Sequence, residues 1–198
     1  MHVGTDGGKP ERLKFELGRH ETFPLREGWL AKGLARLKET GGYRGDLDTA
    51  DVLGLGSRMA KSLAFWLDGA GYLSAPTARG HAASPTPMAL AVQELDPHFE
   101  YPATVWFVHL MLARRRASVW NWFFNEFNAA TFSREACIDS FFRAVRDQGK
   151  TPTTPGVAQR EVGCLLSTYA SPGPGEAVDP EDPTVSPLHS LGLLARQR

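Results

Sequence analysis

Cysteine is nearly absent from this sequence: Cys137 and Cys164 are the only two in 198 residues. Two scattered thiols build neither a disulfide framework nor a cysteine-rich zinc site. An excess of charge of one sign is missing as well. The 22 Lys and Arg are matched by 22 Asp and Glu, and the formal net charge is zero. No long-range field draws such a molecule toward a polyanion, so any nucleic-acid contact has to come from a local basic face. Long apolar runs are lacking, none approaching the ~18–20 residues of a membrane span. The opening Met-His-Val-Gly-Thr-Asp-Gly-Gly has neither the charged nor the apolar region of a secretory signal. A reducing, cytoplasmic setting without a membrane partner is expected. Also absent are a P-loop, a Gly-x-Gly-x-x-Gly opening a helix, His-Glu-x-x-His and Gly-x-Ser-x-Gly. The common nucleotide, zinc-protease and serine-hydrolase chemistries therefore have no foothold here.

What is present is a globular composition, with 42% hydrophobic residues, five Trp and eleven Phe. The length suits one domain or two small ones. After a Gly-rich start, Leu13–Leu17 alternates apolar and polar like a short strand. Residues 27–39 carry Trp29, Leu30, Leu34 and Leu37 on one helical stripe. Asp48 or Thr49 is placed to cap a short helix ending at Leu53, Gly54-Leu55-Gly56 makes a turn, and Ser57 caps a helix to about Asp68. Tyr72-Leu73 then starts a strand, and Ser74–Pro85 has the place of a wing. This is the order of a winged helix-turn-helix. Helices are further expected over 87–95, 103–113, 119–127, from Ser133 to about Gln148, and from Thr154-Pro155 to about Tyr169. The segment 103–113 is apolar nearly throughout and reads as buried. Asp96 and Glu100 flank a solvated turn. Residues 171–187 are Pro-rich and acidic, a linker, and Leu188–Leu194 restarts an apolar pattern that ends as though a longer chain continued. The expected domains are 13–95, 96–170 and a tail, 171–198.

Several residues have both a chemical and a plain structural reading. His20 and Glu21 put an imidazole beside a carboxylate, which suits proton transfer or a divalent cation. The plain reading is that Glu21 caps the following helix region and His20 bonds the turn backbone. Arg114-Arg115-Arg116 is either a helix end favoured by the dipole or a phosphate clamp. His109 reads as a core histidine, and Trp66, Trp106 and Trp122 as core aromatics. The aromatic run 119–127 occupies both helical faces, so it reads as core rather than as a stacking platform. Cys137 and Cys164 have no basic partner at helical spacing and read as inert thiols.

Four segments carry a resemblance. Arg19-His20-Glu21-Thr22-Phe23-Pro24-Leu25-Arg26-Glu27-Gly28-Trp29-Leu30-Ala31-Lys32-Gly33 and Leu53-Gly54-Leu55-Gly56-Ser57-Arg58-Met59-Ala60-Lys61-Ser62-Leu63-Ala64-Phe65-Trp66 are two of them. Tyr101–His109 and Trp120–Phe127 are the others. In this order and spacing they resemble the signatures of the SspB family, with departures at Arg19, where members usually have Gly, and at Arg58, where Asn is frequent. The resemblance implies a bacterial phage-defence system that places sulfur in the backbone of one DNA strand. Its partners there are a cysteine desulfurase, an ATP-pyrophosphatase-like enzyme and an ATPase, and its role is DNA binding and nicking. It also implies a family domain that runs further than this chain.

The reading of the whole is a mainly α protein, an N-terminal winged helix-turn-helix packed on an α-helical part. Duplex DNA is met by Arg19, Arg58, Lys61 and Arg79, with Lys32, Arg36 and Arg114, Arg115 and Arg116 as further backbone contacts. No Asn or Gln stands on the second helix to read bases. Catalysis, if the chain nicks, is assigned to His20 and Glu21, with magnesium or manganese as helper and Glu21 as its contact. The alternatives are a non-catalytic adaptor that brings the sulfur-transfer enzymes to DNA, and a protein-only scaffold. Whether the chain acts as a homodimer is left open.

Overall fold

The structure is a computed structural model that describes residues 12–75, 81–171 and 185–197. Its helices are α1 (Trp29–Thr40), α2 (Leu47–Leu53), α3 (Ser57–Gly69), α4 (Pro87–Leu95), α5 (Pro102–Arg114), α6 (Val119–Asn125), α7 (Arg134–Gln148) and α8 (Pro155–Tyr169). A 3-10 helix spans Pro187–Leu191, and β1 (Ala170–Ser171) pairs in parallel with β2 (Leu194–Ala195). The protein is mainly α, as expected. Among the described residues no helix is long and apolar enough to cross a membrane.

Local chemistry starts most of these helices. The hydroxyls of Thr86, Ser118, Ser133 and Thr154 accept the backbone N–H groups of Ala89, Asn121, Ala136 and Val157, each quieting one of the helix's orphan donors. Two expected caps move. Asp46, not Asp48 or Thr49, caps α2 by accepting the Thr49 N–H. Ser57 is the first residue of α3, which follows Gly56 without a side-chain cap. Asp96, expected in a solvated turn, is buried and accepts from the N–H groups of Glu100 and Tyr101 and from the Thr104 hydroxyl. Burial pushes its carboxyl up, but these bonds and the charge of His98 outweigh it and hold it below the ordinary value.

The core forms around α3, which packs on α1, α2 and α5 and buries Leu63, Trp66 and Leu67 completely or nearly so. Trp66 meets Trp120 of α6 edge-on at 5.4 Å, and Phe15 meets Phe141 of α7 at 6.1 Å. Contacts thus run freely between residues 13–95 and 96–170. The aromatic run of α6 is core, with Trp120, Trp122 and Phe123 buried. Trp106 is a correction: it is 42% exposed, against 1% for Trp66 and 5% for Trp122. Helix α5 is therefore covered on one side only, and Trp106 and Leu110, one turn apart, face outward.

Two expected strands are corrected as well. Leu13–Leu17 finds no partner strand among the described residues. Leu13 makes a single bridge to Gly149, and the Glu16 N–H donates to the Ala117 carbonyl. Its alternation serves instead to bury Phe15 against α7. The α2–turn–α3 order is present, and beyond it Leu73 bridges Pro85 while Tyr43 bridges Ala83, both antiparallel single bridges rather than strands. Arg79, expected at the wing, lies outside the described residues.

Candidate nucleic-acid interface

The segment from Gly18 to Phe23 is bent by unusual backbone angles. Gly18 has φ 74°, which glycine adopts freely, but Glu21 and Thr22 have φ 51° and 68°. Left-handed backbone at non-glycine residues costs about 1–3 kcal/mol each, worst for a β-branched side chain, and persists only where the surroundings over-determine it. Here they do. The Ser62 hydroxyl of α3 donates to the His20 carbonyl at 2.9 Å, and the Trp66 indole N–H donates to the Phe23 carbonyl at 3.2 Å. From α8, Glu161 accepts the Gly18 N–H at 2.5 Å, and the Cys164 thiol points at the Phe23 carbonyl at 3.5 Å.

The bend turns neighbours to opposite sides. His20 points inward, 1% exposed, with its Nε2 3.2 Å from Glu161 and its ring edge-on to Phe65 and Trp120. Arg19 and Glu21 point outward into a groove of about 750 Å³. Its floor is the open side of α3, at Lys61, Ala64 and Asp68, and its far wall is formed by Tyr43–Asp46, Leu73–Ala75 and His81. A space of this size is ample for a small ligand or a stretch of polymer backbone.

Ion pairing decides which charges in the groove are available. Glu21 Oε2 accepts from Arg58 Nε at 3.0 Å, and Arg58 Nη2 also donates to the Glu21 carbonyl at 3.1 Å. Asp68 accepts from Arg115 Nη2 at 2.7 Å, and the same guanidinium donates to Glu16 Oε2 through Nε at 3.0 Å and Nη2 at 2.6 Å. Two of the groove's three carboxylates are thus tied to arginines at its edge. The third, Asp46, is held below the ordinary carboxylate value first by the Thr49 N–H it accepts as the α2 cap. Arg19, Arg44 and Lys61 line the groove, are exposed, and have no ion-pair partner among the described residues.

The residues expected to meet DNA are therefore sorted by the structure. Arg19, Lys61 and Arg58 gather at the groove, Arg58 with its charge matched by Glu21. Arg115 sits inside its acidic pair and over the Phe65 ring, while Arg114 and Arg116 are exposed but do not line the groove. Arg36 reaches Asp48 at 3.4 Å and Glu39 at 3.9 Å, and Lys32 is exposed elsewhere on α1. The sequence reading missed Arg44 and Glu161. Arg44 stands two residues before the α2 cap in a segment without periodicity, and Glu161 lies within the pattern of a distant helix. Among the described residues no three His, Cys, Asp or Glu side chains come together to hold a metal, and the Glu21 carboxylate, expected to contact a cation, is directed to Arg58. Both cysteines are free and buried, and burial pushes the Cys137 thiol up to about 12.

The fold is shared with solved proteins. A crystal structure of SspB matches with a TM-score of 0.77 and 21% identity, over 94% of this chain and 58% of that one. A crystal structure of magnesium ion-bound SspB matches with a TM-score of 0.76 and 20% identity, over 91% of this chain and 56% of that one. The chain thus spans little more than half the length of those proteins. No curated protein sequence matches it. The likeness to SspB seen in the four sequence segments is matched by the fold, and, since the model of the family described as a protein of unknown function, DUF4007, covers residues 17–198, the chain belongs to that family.

Proposed function

We propose that this chain is a DNA-binding component of an SspB-type phosphorothioate-modification system, and that the α3 groove holds a DNA backbone. The observation that carries the reading is the set of cations without an ion-pair partner among the described residues, Arg19, Arg44 and Lys61, on one groove where Glu21 and Asp68 are paired to arginines and the remaining acid, Asp46, lies near Arg44. A neutral molecule offers a polyanion little at long range, but three guanidinium or ammonium groups around one channel supply the local attraction that phosphates need. On this reading α2 and α3 are the helix pair that meets the duplex, as in a winged helix, and the contacts position the backbone rather than read bases.

Nicking is the second reading, favoured by Glu21. Its carboxylate stands at the groove on strained backbone, with 31% of the side chain exposed, against an Arg58 that is 62% exposed. Such a surface pair contributes only ~0.2–1 kcal/mol, so a phosphate arriving at Arg58 displaces Glu21 and leaves a carboxylate beside the scissile bond, placed to take a proton from an attacking water.

One experiment separates the readings. Duplex binding is measured across a salt series, and supercoiled plasmid relaxation is followed with magnesium and with EDTA. Arg44→Ala with Lys61→Ala is expected to flatten the log–log salt slope by roughly 1.8, about 0.9 per phosphate contact. Glu21→Gln is expected to bind more tightly, because Arg58 is released, and to lose any nicking. Unchanged affinity and slope in the double variant overturn the groove assignment. Binding without relaxation by the wild type establishes the adaptor.

A further inference from the structure

We infer that Glu161 is the positioning residue of the groove: from inside the core it fixes the Gly18–Thr22 bend that turns Arg19 and Glu21 outward. The inference rests on the DNA-binding reading of that face. Glu161 belongs to α8 and is 1% exposed. A buried carboxylate that merely fills space is a poor choice, since an apolar side chain of similar volume is often neutral or better. Among the described residues, all the polar contacts of this one lie in the bend. Its Oε1 accepts the Gly18 N–H at 2.5 Å and lies 3.2 Å from His20 Nε2.

The imidazole carries the constraint onward. His20 Nδ1 accepts the Thr22 N–H at 3.0 Å. A ring nitrogen that accepts bears no proton, so the ring proton sits on Nε2, the nitrogen facing Glu161. The ring is walled by Phe65 and Trp120, with centroids 6.0 and 6.1 Å away. Glu161 thus grips the start of the bend through the Gly18 N–H and stands 3.2 Å from the imidazole that holds its end, whose Nε2 has no hydrogen-bond partner among the described residues; the strained Glu21 lies between. The second carboxylate oxygen, Oε2, is buried without a partner. Among the described residues its polar contacts are confined to those that present the groove's outer edge.

The test uses the full chain with Glu161→Ala and Glu161→Gln, reading amide hydrogen exchange at residues 18–22, duplex affinity and melting. In Glu161→Ala the Gly18 and Thr22 amides are expected to exchange about tenfold faster or more, and DNA affinity to fall about tenfold. Amides of α3 and α7 keep their protection. Glu161→Gln, whose side-chain oxygen accepts the same Gly18 N–H, is expected to restore both readouts, a rescue that simple volume filling does not give. Unchanged exchange in the bend of Glu161→Ala overturns the inference, as does a loosened bend with full DNA affinity. Loss of protection throughout both variants also overturns it and makes Glu161 a core residue only. A wild-type chain that binds no DNA overturns the underlying reading instead, and the exchange data tell the two failures apart.

Discussion

His109 shows how a single residue here answers to its surroundings. It lies on α5 with Nδ1 3.1 Å from the Tyr169 hydroxyl and with the Phe124 ring edge-on at 4.7 Å. Burial holds its pKa below the ordinary value, so the folded state prefers the neutral ring. The sign follows from linkage. The unfolded chain takes up a proton near pH ~6.5 while the folded chain resists. The stability His109 contributes is therefore complete above that pH and is lost as pH falls from there through the folded value. Urea unfolding at a series of pH values from 8 to 5 is expected to show this loss, and His109→Phe to flatten it; an unchanged slope in the variant would place the titrating group elsewhere. The same scale explains what sequence could not reveal about the site. His20 and Glu21 are adjacent letters, yet the left-handed bend sends one into the core and the other to solvent. No propensity predicts positive φ at Glu and Thr, because tertiary contacts impose it.

At the scale of elements, sequence was most informative where chemistry is local. Ser and Thr caps, Pro at first turns and Gly stops set helix limits that the structure reproduces closely for α4, α7 and α8. It misled where the outcome depended on a distant neighbour. Leu13–Leu17 alternates like a strand, but among the described residues no second strand pairs with it. Helix α5 is apolar all round, yet only one side is covered, because its partners α3, α6 and the 3-10 helix leave Trp106 and Leu110 outside. This difference has a measurable size. Trp66→Ala removes a side chain that is 1% exposed, and its cost is expected near 3–5 kcal/mol. Trp106→Ala loses a ring already in contact with water, and its cost is expected below about 1 kcal/mol. Denaturant midpoints for the two variants check the contrast, and comparable losses would mean that Trp106 is covered in solution.

As a whole, the molecule is tied together by contacts between residues far apart in the chain. Phe15 packs on Phe141, Arg115 joins Glu16 to Asp68, and the Leu13 bridge to Gly149 closes the chain across most of its length. Chemical unfolding is accordingly expected as one transition, with tryptophan fluorescence and far-ultraviolet dichroism giving the same midpoint. Two separated midpoints would show that residues 13–95 and 96–170 melt independently. The Gly18–Glu161 bond, across 143 positions, also has a consequence in time. On a ribosome adding ~5–20 residues per second, Gly18 emerges roughly 7–30 seconds before its anchor does. The helices around Trp66 have that interval in which to form without the clamp. The groove's outer edge is therefore among the last features to be completed, and a nascent chain arrested before α8 carries Arg19 and Glu21 without the means to aim them.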